Sequence, residues 1–102
     1  PARFRAVRAP IRVIIDNKTS DQYTILDIKC KNAPGDLYKI TKIITSLGLQ
    51  INTANVSTYG DRVVDIFYLK NAFGSKVDDN TTIEKVKNSI LEELKEIDYV
   101  NQ

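Results

Sequence analysis

The chain has 102 residues, the length of one domain, with 42% hydrophobic and 27% charged side chains. That is an ordinary globular profile, which excludes a disordered tail or a collagen-like repeat. A single cysteine, Cys30, excludes an internal disulfide, and the absence of His leaves no imidazole for a zinc site or for a Ser/His or Cys/His nucleophile.

No apolar run approaches the roughly 20 residues of a membrane helix, and the N-terminus lacks a signal-peptide layout. A start at Pro1 with no Met in the chain reads as a piece of a longer protein. The formal net charge of +2 hides an asymmetry. Arg3, Arg5, Arg8 and Arg12 are the only charges in the first twelve residues, whereas the rest holds 11 basic and 13 acidic side chains. Residues 1–10 are therefore expected to be a solvated basic linker from an upstream domain, closed by Pro10, with 11–102 as the folded unit.

Residues 11–16 are β-branched and follow a proline, the pattern of a strand. Residues 23–30 form a second strand, with Leu26, Ile28 and Cys30 on one face and Asp27 and Lys29 on the other. The turn residues 32–35 break it and open a helix. Leu37, Ile40, Ile44 and Leu47, widened by Ile43, make one amphipathic stripe, and Gly48 stands where a C-capping glycine belongs.

Residues 50–59 read as a weaker edge strand, and Gly60-Asp61 turns into a strongly apolar strand over 62–70. Residues 71–80 read as a polar loop. Thr81 and Glu84 have capping-box spacing, and Ile83, Val86, Ile90, Leu94 and Ile97 form a helical stripe through about residue 97. No strand is expected after it.

The order is ββαββα. The split β-α-β fold runs βαββαβ, with its last strand antiparallel beside its first. Here a strand added before the first occupies that same edge. The expectation is an α+β, ferredoxin-like domain in permuted order: a four-stranded antiparallel sheet with two helices on one face, and 23–30 and 62–70 at its centre.

The run Asn32-Ala33-Pro34-Gly35-Asp36-Leu37-Tyr38, with Leu47-Gly48-Leu49-Gln50-Ile51, resembles the signature of ACT domains. These are small ligand-binding regulatory modules of amino-acid and nitrogen enzymes. The block from Ala54 to Leu69, including Asp65-Ile66-Phe67-Tyr68, is similar to the closing ACT domain of bacterial bifunctional PII uridylyltransferase/uridylyl-removing enzymes, as is the lead-in around Ile15-Asp16-Asn17. The resemblance covers about residues 10–97.

It implies a cytoplasmic regulatory domain that senses an amino acid, glutamine in this family, and controls uridylylation and deuridylylation of PII. Its implied partners are a second ACT domain, as dimer or tandem copy, and the parent's catalytic domains. Mg and UTP would be used by those upstream domains and no cofactor by this fragment, whose residues resemble neither active site. The fragment itself is expected to be non-catalytic.

The loop at 31–36 leads into a helix N-terminus, whose free amides and dipole attract a carboxylate. Gly35 allows close backbone approach. Candidate ligand contacts are Asn32, Gly35, Asp36, Leu37, Gln50 and Asn52, the amides of Asn32 and Gln50 facing an ammonium or carboxamide. Cys30 stands at another position that ACT families use for ligand contact, although a small buried core residue is its plainer reading. Departures from the family loop are Asn32 in place of an acid, Ala33 in place of a base and Asp36 in place of an apolar residue. Asp36 suits the helix dipole yet repels an anionic ligand aimed at the same amides.

Other readings stay open at these positions. Residues 32–35 also fit a strand-to-helix turn with Asn32 as the cap, and Gln50 and Asn52 fit ordinary edge-strand polar residues. Asp65 interrupts an apolar central strand and is expected to meet Arg62, a turn amide or another domain. Tyr38, Tyr59, Phe67 and Tyr68 read as packing groups. Asp78-Asp79 would hold a cation only loosely.

RNA recognition is disfavoured, because the Gly-aromatic-Gly signature is absent and the adjacent aromatics of the 62–70 strand point to opposite faces. The functional alternative to a sensor is a docking or dimerisation module that binds no small molecule.

Overall fold

The computed structural model of the chain describes residues 4–5, 10–95 and 99–100. Four strands, β2 (Arg12–Asp16), β3 (Thr24–Lys31), β4 (Gln50–Tyr59) and β5 (Arg62–Lys70), form one sheet in the order β2-β3-β5-β4. Every neighbouring pair is antiparallel. Helices α1 (Asp36–Ser46) and α2 (Asn80–Leu94) pack on each other and on one face, α1 over the β4 side and α2 over the β2 side. The expected α+β, ferredoxin-like architecture is the one observed, with β3 and β5 central.

Burial alternates strictly along β3 and β5 because helices cover one face and leave the other open. Leu26, Ile28, Phe67, Ile40, Ile44 and Ile90 are completely enclosed between sheet and helices. Each large apolar side chain buried this way stabilises the fold by about 1.5–3 kcal/mol. Cys30 belongs to this core. The expected helical stripe of α1 holds at Ile40 and Ile44, with Ile43 and Leu47 partly buried, but Leu37 is exposed. It lies in the first turn of the helix, at the margin of the core.

α1 closes as its sequence predicts. Gly48 adopts φ 82°, its N–H donates to the Thr45 carbonyl, and Leu49 N–H donates to the Ile44 carbonyl. These two bonds make a Schellman motif, and the buried Leu49 supplies its apolar contact.

α2 differs from expectation at its start. Asp79 is the N-cap, accepting from Thr82 N–H at 2.9 Å and from the Thr82 hydroxyl at 2.6 Å. Thr81 and Glu84 are therefore inside the helix and make no capping box. Those hydrogen bonds hold the Asp79 carboxyl below its ordinary pKa. Val86, Ile90 and Leu94 are buried as expected, and Ile97 lies outside the described residues.

Two further differences concern segments too short or irregular for periodicity to reveal. β1 (Phe4–Arg5) pairs antiparallel with β6 (Tyr99–Val100), so a short strand does follow α2. The linker expectation for residues 1–10 falls mostly, with Arg3 and Arg8, outside the described residues. The loop after β5 is also less polar in role than in composition, since Val77 is a core residue.

A buried polar knot holds that loop to the β2–β3 turn. The Thr24 hydroxyl donates to Asn17 Oδ1 at 2.5 Å and accepts from Val77 N–H at 2.8 Å. Asn17 Nδ2 donates to the Val77 carbonyl at 2.7 Å, and Lys76 Nζ to the Asn17 carbonyl at 2.9 Å. Replacing the hydroxyl by a methyl keeps the volume but strands a buried amide and carboxamide oxygen. Thr24→Val is therefore expected to lower stability by about 1–3 kcal/mol with an unchanged urea m-value, measured by equilibrium denaturation.

Candidate functional site

The segment between β3 and α1 is a tight turn built by Pro34 and Gly35. Asp36 N–H donates to the Ala33 carbonyl, and Gly35 stands at φ 84°, ψ −10°. A proline followed by a left-handed glycine is the type II arrangement. Gly35 is itself the N-cap of α1, so no side chain caps the helix. Asn32, the expected cap, is exposed, and its backbone N–H is committed to the Asp61 carbonyl at 2.7 Å. The first turn of α1 thus presents amides without a side-chain acceptor, at the positive end of the helix dipole.

Asp65 lies on the helix-facing side of β5, between Ile28 of β3 and Val56 of β4. It is only 3% exposed, and its Oδ1 has no hydrogen-bond partner among the described residues. The expected pairing with Arg62 is not made. The two residues are three apart on a strand and so face opposite sides of the sheet. Arg62 instead donates from Nη2 to the Pro10 carbonyl. Burial first, and then the negative charge of Asp36, push the Asp65 carboxyl above its ordinary pKa. The turn, Asp36 and Asp65 therefore form one electrostatic neighbourhood.

The six candidate contacts do not converge within one copy of the chain. Asn32, Gly35, Asp36 and Leu37 lie at the end of the sheet where β4 turns into β5, since Lys31 pairs with Arg62 and Arg62 with Tyr59. Gln50 pairs with Lys70 at the other end, about 30 Å of strand away. Its amide donates to the carbonyls of Asn71 and Ala72. Asn52 is the extra residue of a β-bulge and donates to the Thr53 hydroxyl at 2.9 Å. Resemblance to the family's ligand positions suggested a common site, and within one copy an 11-residue helix carries the chain to the other end of the sheet before β4 begins.

The aromatic expectations divide in the same way. Phe67 is core, and Tyr68 is half-buried against Tyr23 with ring centroids 6.1 Å apart. Tyr38 and Tyr59 are not buried: both are about two-thirds exposed. Nine of the ten β4 residues are exposed and Ile51 is partly buried against the core, so most of this edge strand is open. What sequence reading missed was the combination of a buried unpaired carboxylate with an open edge beside it. The acid within the apolar 62–70 run was the available signal.

Among the described residues no group of acidic, Cys or His side chains could hold a metal ion, and Asp79 of the Asp78-Asp79 pair serves as a helix cap. Among the same residues no helix is long and apolar enough to cross a membrane.

Residues 19–96 match the family model described as the ACR family N-terminal ACT domain. The match begins after β2, so the added N-terminal strand lies outside it. The chain is 40% identical over 90 residues to a bifunctional uridylyltransferase/uridylyl-removing enzyme of Rhodospirillum rubrum, covering 88% of this chain and 10% of that protein. It is 38% identical over 93 residues to the enzyme of the same description from Azospirillum brasilense, covering 91% and 10%. For that of Gluconobacter oxydans the identity is 37% over 92 residues, covering 90% and 10%. The chain thus spans about a tenth of the length of the curated relatives it matches. No solved structure matches it.

The raised pKa of Asp65 has a definite consequence for stability. The folded chain holds the Asp65 proton more tightly than the unfolded chain does, so stability falls as pH rises from the ordinary carboxylate value to the raised one. The full penalty persists above that interval. Asp65→Asn is expected to remove this contribution to the slope and to raise stability at neutral pH relative to acid, read from urea denaturation at about pH 4 and pH 7. An unchanged slope would mean that the carboxylate is compensated.

Proposed function

The chain belongs to the ACT-domain family, and from that premise we propose that it is the amino-acid-sensing regulatory domain of a uridylyltransferase/uridylyl-removing enzyme. Glutamine is the ligand in this reading, and the signal adjusts the parent's uridylylation and deuridylylation of PII in the cytoplasm. The parent's catalytic domains use Mg and UTP, and this domain contributes no catalytic group.

One observation carries the reading: the uncapped N-terminus of α1 opens beside two carboxylates, Asp36 and Asp65, at the end of an uncovered edge strand. A free amino acid is a zwitterion. Its carboxylate suits the first-turn amides, and its ammonium suits the negative charge beside them. This accounts for the departure at Asp36, which would repel a simple anion.

The separation of Gln50 and Asn52 from the turn also has a geometric resolution. Two copies related by a two-fold axis and paired antiparallel along β4 would bring Gln50 and Asn52 of one towards the 32–37 turn of the other. The site would then be completed by a second ACT domain. The exposed Tyr38, Val56 and Tyr59 supply apolar surface for that contact.

The same exposed edge favours the second reading, a docking module that pairs without binding a small molecule. An NMR titration with glutamine separates the two, with glutamate and asparagine as controls and the dimer verified by sedimentation. Sensing predicts saturable, glutamine-selective shifts at residues 32–37 and at the Gln50 and Asn52 side-chain amides. A verified dimer that shows none at millimolar glutamine supports docking alone. In the sensing case Asp36→Leu weakens glutamine by about 5-fold or more through loss of the charge facing the ammonium, whereas simple anion binding would make the same variant tighter.

A further inference from the structure

The face of the sheet that the helices leave open carries an unusual concentration of positive charge at one end. In cross-strand register, Arg12 stands opposite Lys29, and Lys29 opposite Val64. In the next row Lys31 stands opposite Arg62, and Arg62 opposite Tyr59. Like charges placed directly across a ladder destabilise a sheet, and here two such pairs occupy adjacent rows. Local choices that oppose the fold are expected where a function requires them.

These rows border an open groove of about 400 Å³ lined by Arg12, Lys29, Tyr59, Arg62 and Val64. Asp27 is bound to Arg12 at 3.2 Å and offsets one of the three lining cations, leaving two positive charges. The donors are not saturated. Arg62 Nη2 is held by the Pro10 carbonyl, but its Nη1 is buried with no partner among the described residues. Val64 provides an apolar floor, and Tyr59, mostly exposed, a phenol at the rim.

We propose that this groove, built by Arg12, Lys29 and Arg62 on the open face of the sheet, is a binding site for the phosphate group of a small molecule. A phosphate monoester carries close to two negative charges at neutral pH, which matches the two uncompensated positive ones. Guanidinium groups engage its oxygens through paired N–H donors, and the lysine acts as a mobile point charge. The volume lies in the range of small-molecule sites and admits either free phosphate or a phosphorylated metabolite of nucleotide size. The site faces away from α1, so it is separate from the turn at 32–37 and does not depend on amino-acid sensing.

The test is an NMR titration of the 102-residue chain with inorganic phosphate, adenosine monophosphate and adenosine. Saturable shifts at the amides of Lys29, Arg62 and Val64 are expected with both phosphates and not with adenosine. Tighter binding of the monophosphate assigns the source to a phosphorylated metabolite, and equal affinities assign it to free phosphate. Among the described residues the Lys29 side chain makes no hydrogen bond or ion pair, so Lys29→Gln leaves stability unchanged and weakens phosphate by about 5-fold, and added salt weakens it further. Absence of saturation at about 10 mM phosphate, equal response to adenosine, or an unchanged affinity in Lys29→Gln would each overturn the proposal.

Discussion

Eight residue pairs join β3 to β5 in antiparallel register, from Thr24↔Leu69 to Lys31↔Arg62, and that ladder places every other part of the fold. Because side chains alternate across a strand, it sends Leu26, Ile28, Cys30, Val63, Phe67 and Leu69 to one face and Asp27, Lys29, Val64 and Ile66 to the other. The apolar face recruits both helices, whereas the mixed face stays open. A slip of one residue would exchange the two sets and bury the charges, so the register is enforced by the cost of doing so.

Asp65 is the exception within that arrangement. It stands among the inward set, where an unpaired carboxylate is unfavourable, and its two neighbours across the ladder are Ile28 and Val56. Its position beneath the start of α1 makes it part of the same electrostatic environment as Asp36. Natural folds retain such a local conflict where it serves an interaction, and the uncapped helix terminus beside it is the element with unmet donors. The type II turn at Pro34-Gly35 creates that terminus by using a residue without a side chain as the cap.

The two faces and two edges of the sheet are chemically distinct. β2 and α2 close one side, fastened to the loop after β5 by the Asn17–Thr24–Val77 knot. β4 leaves the other edge uncovered along its whole length. An edge with free backbone donors and acceptors, flanked by exposed Tyr38, Val56 and Tyr59, suits pairing with a second copy. The open face instead gathers cations at the end near the β4–β5 turn, with Tyr23, Tyr68 and Lys70 making an aromatic and cation–π cluster towards the opposite end. An amino-acid site at the helix edge and a phosphate site on the open face would therefore lie on opposite faces of the sheet, with Tyr59 of β4 at the rim of the second.

Local sequence determined the elements themselves. Two-residue alternation specified β3 and β5, the three-four-three spacing of Leu37, Ile40, Ile44 and Leu47 specified α1, and Gly48 specified its end. The order ββαββα, compared with the split β-α-β arrangement, then pointed to the antiparallel sheet with β3 and β5 at its centre. The elements rest on contacts within a strand or a turn, and periodicity records them directly.

The tertiary structure alone decided that Val77 enters the core, that Asp65 is left without Arg62, and that Gln50 and Asn52 lie far from the turn at 32–37. It also brought Arg12, Lys29 and Arg62, from three different strands, to one groove. Each of these depends on the register between distant segments or on which helix covers which strand. That information resides in packing between elements, where burial and pairing override local preference.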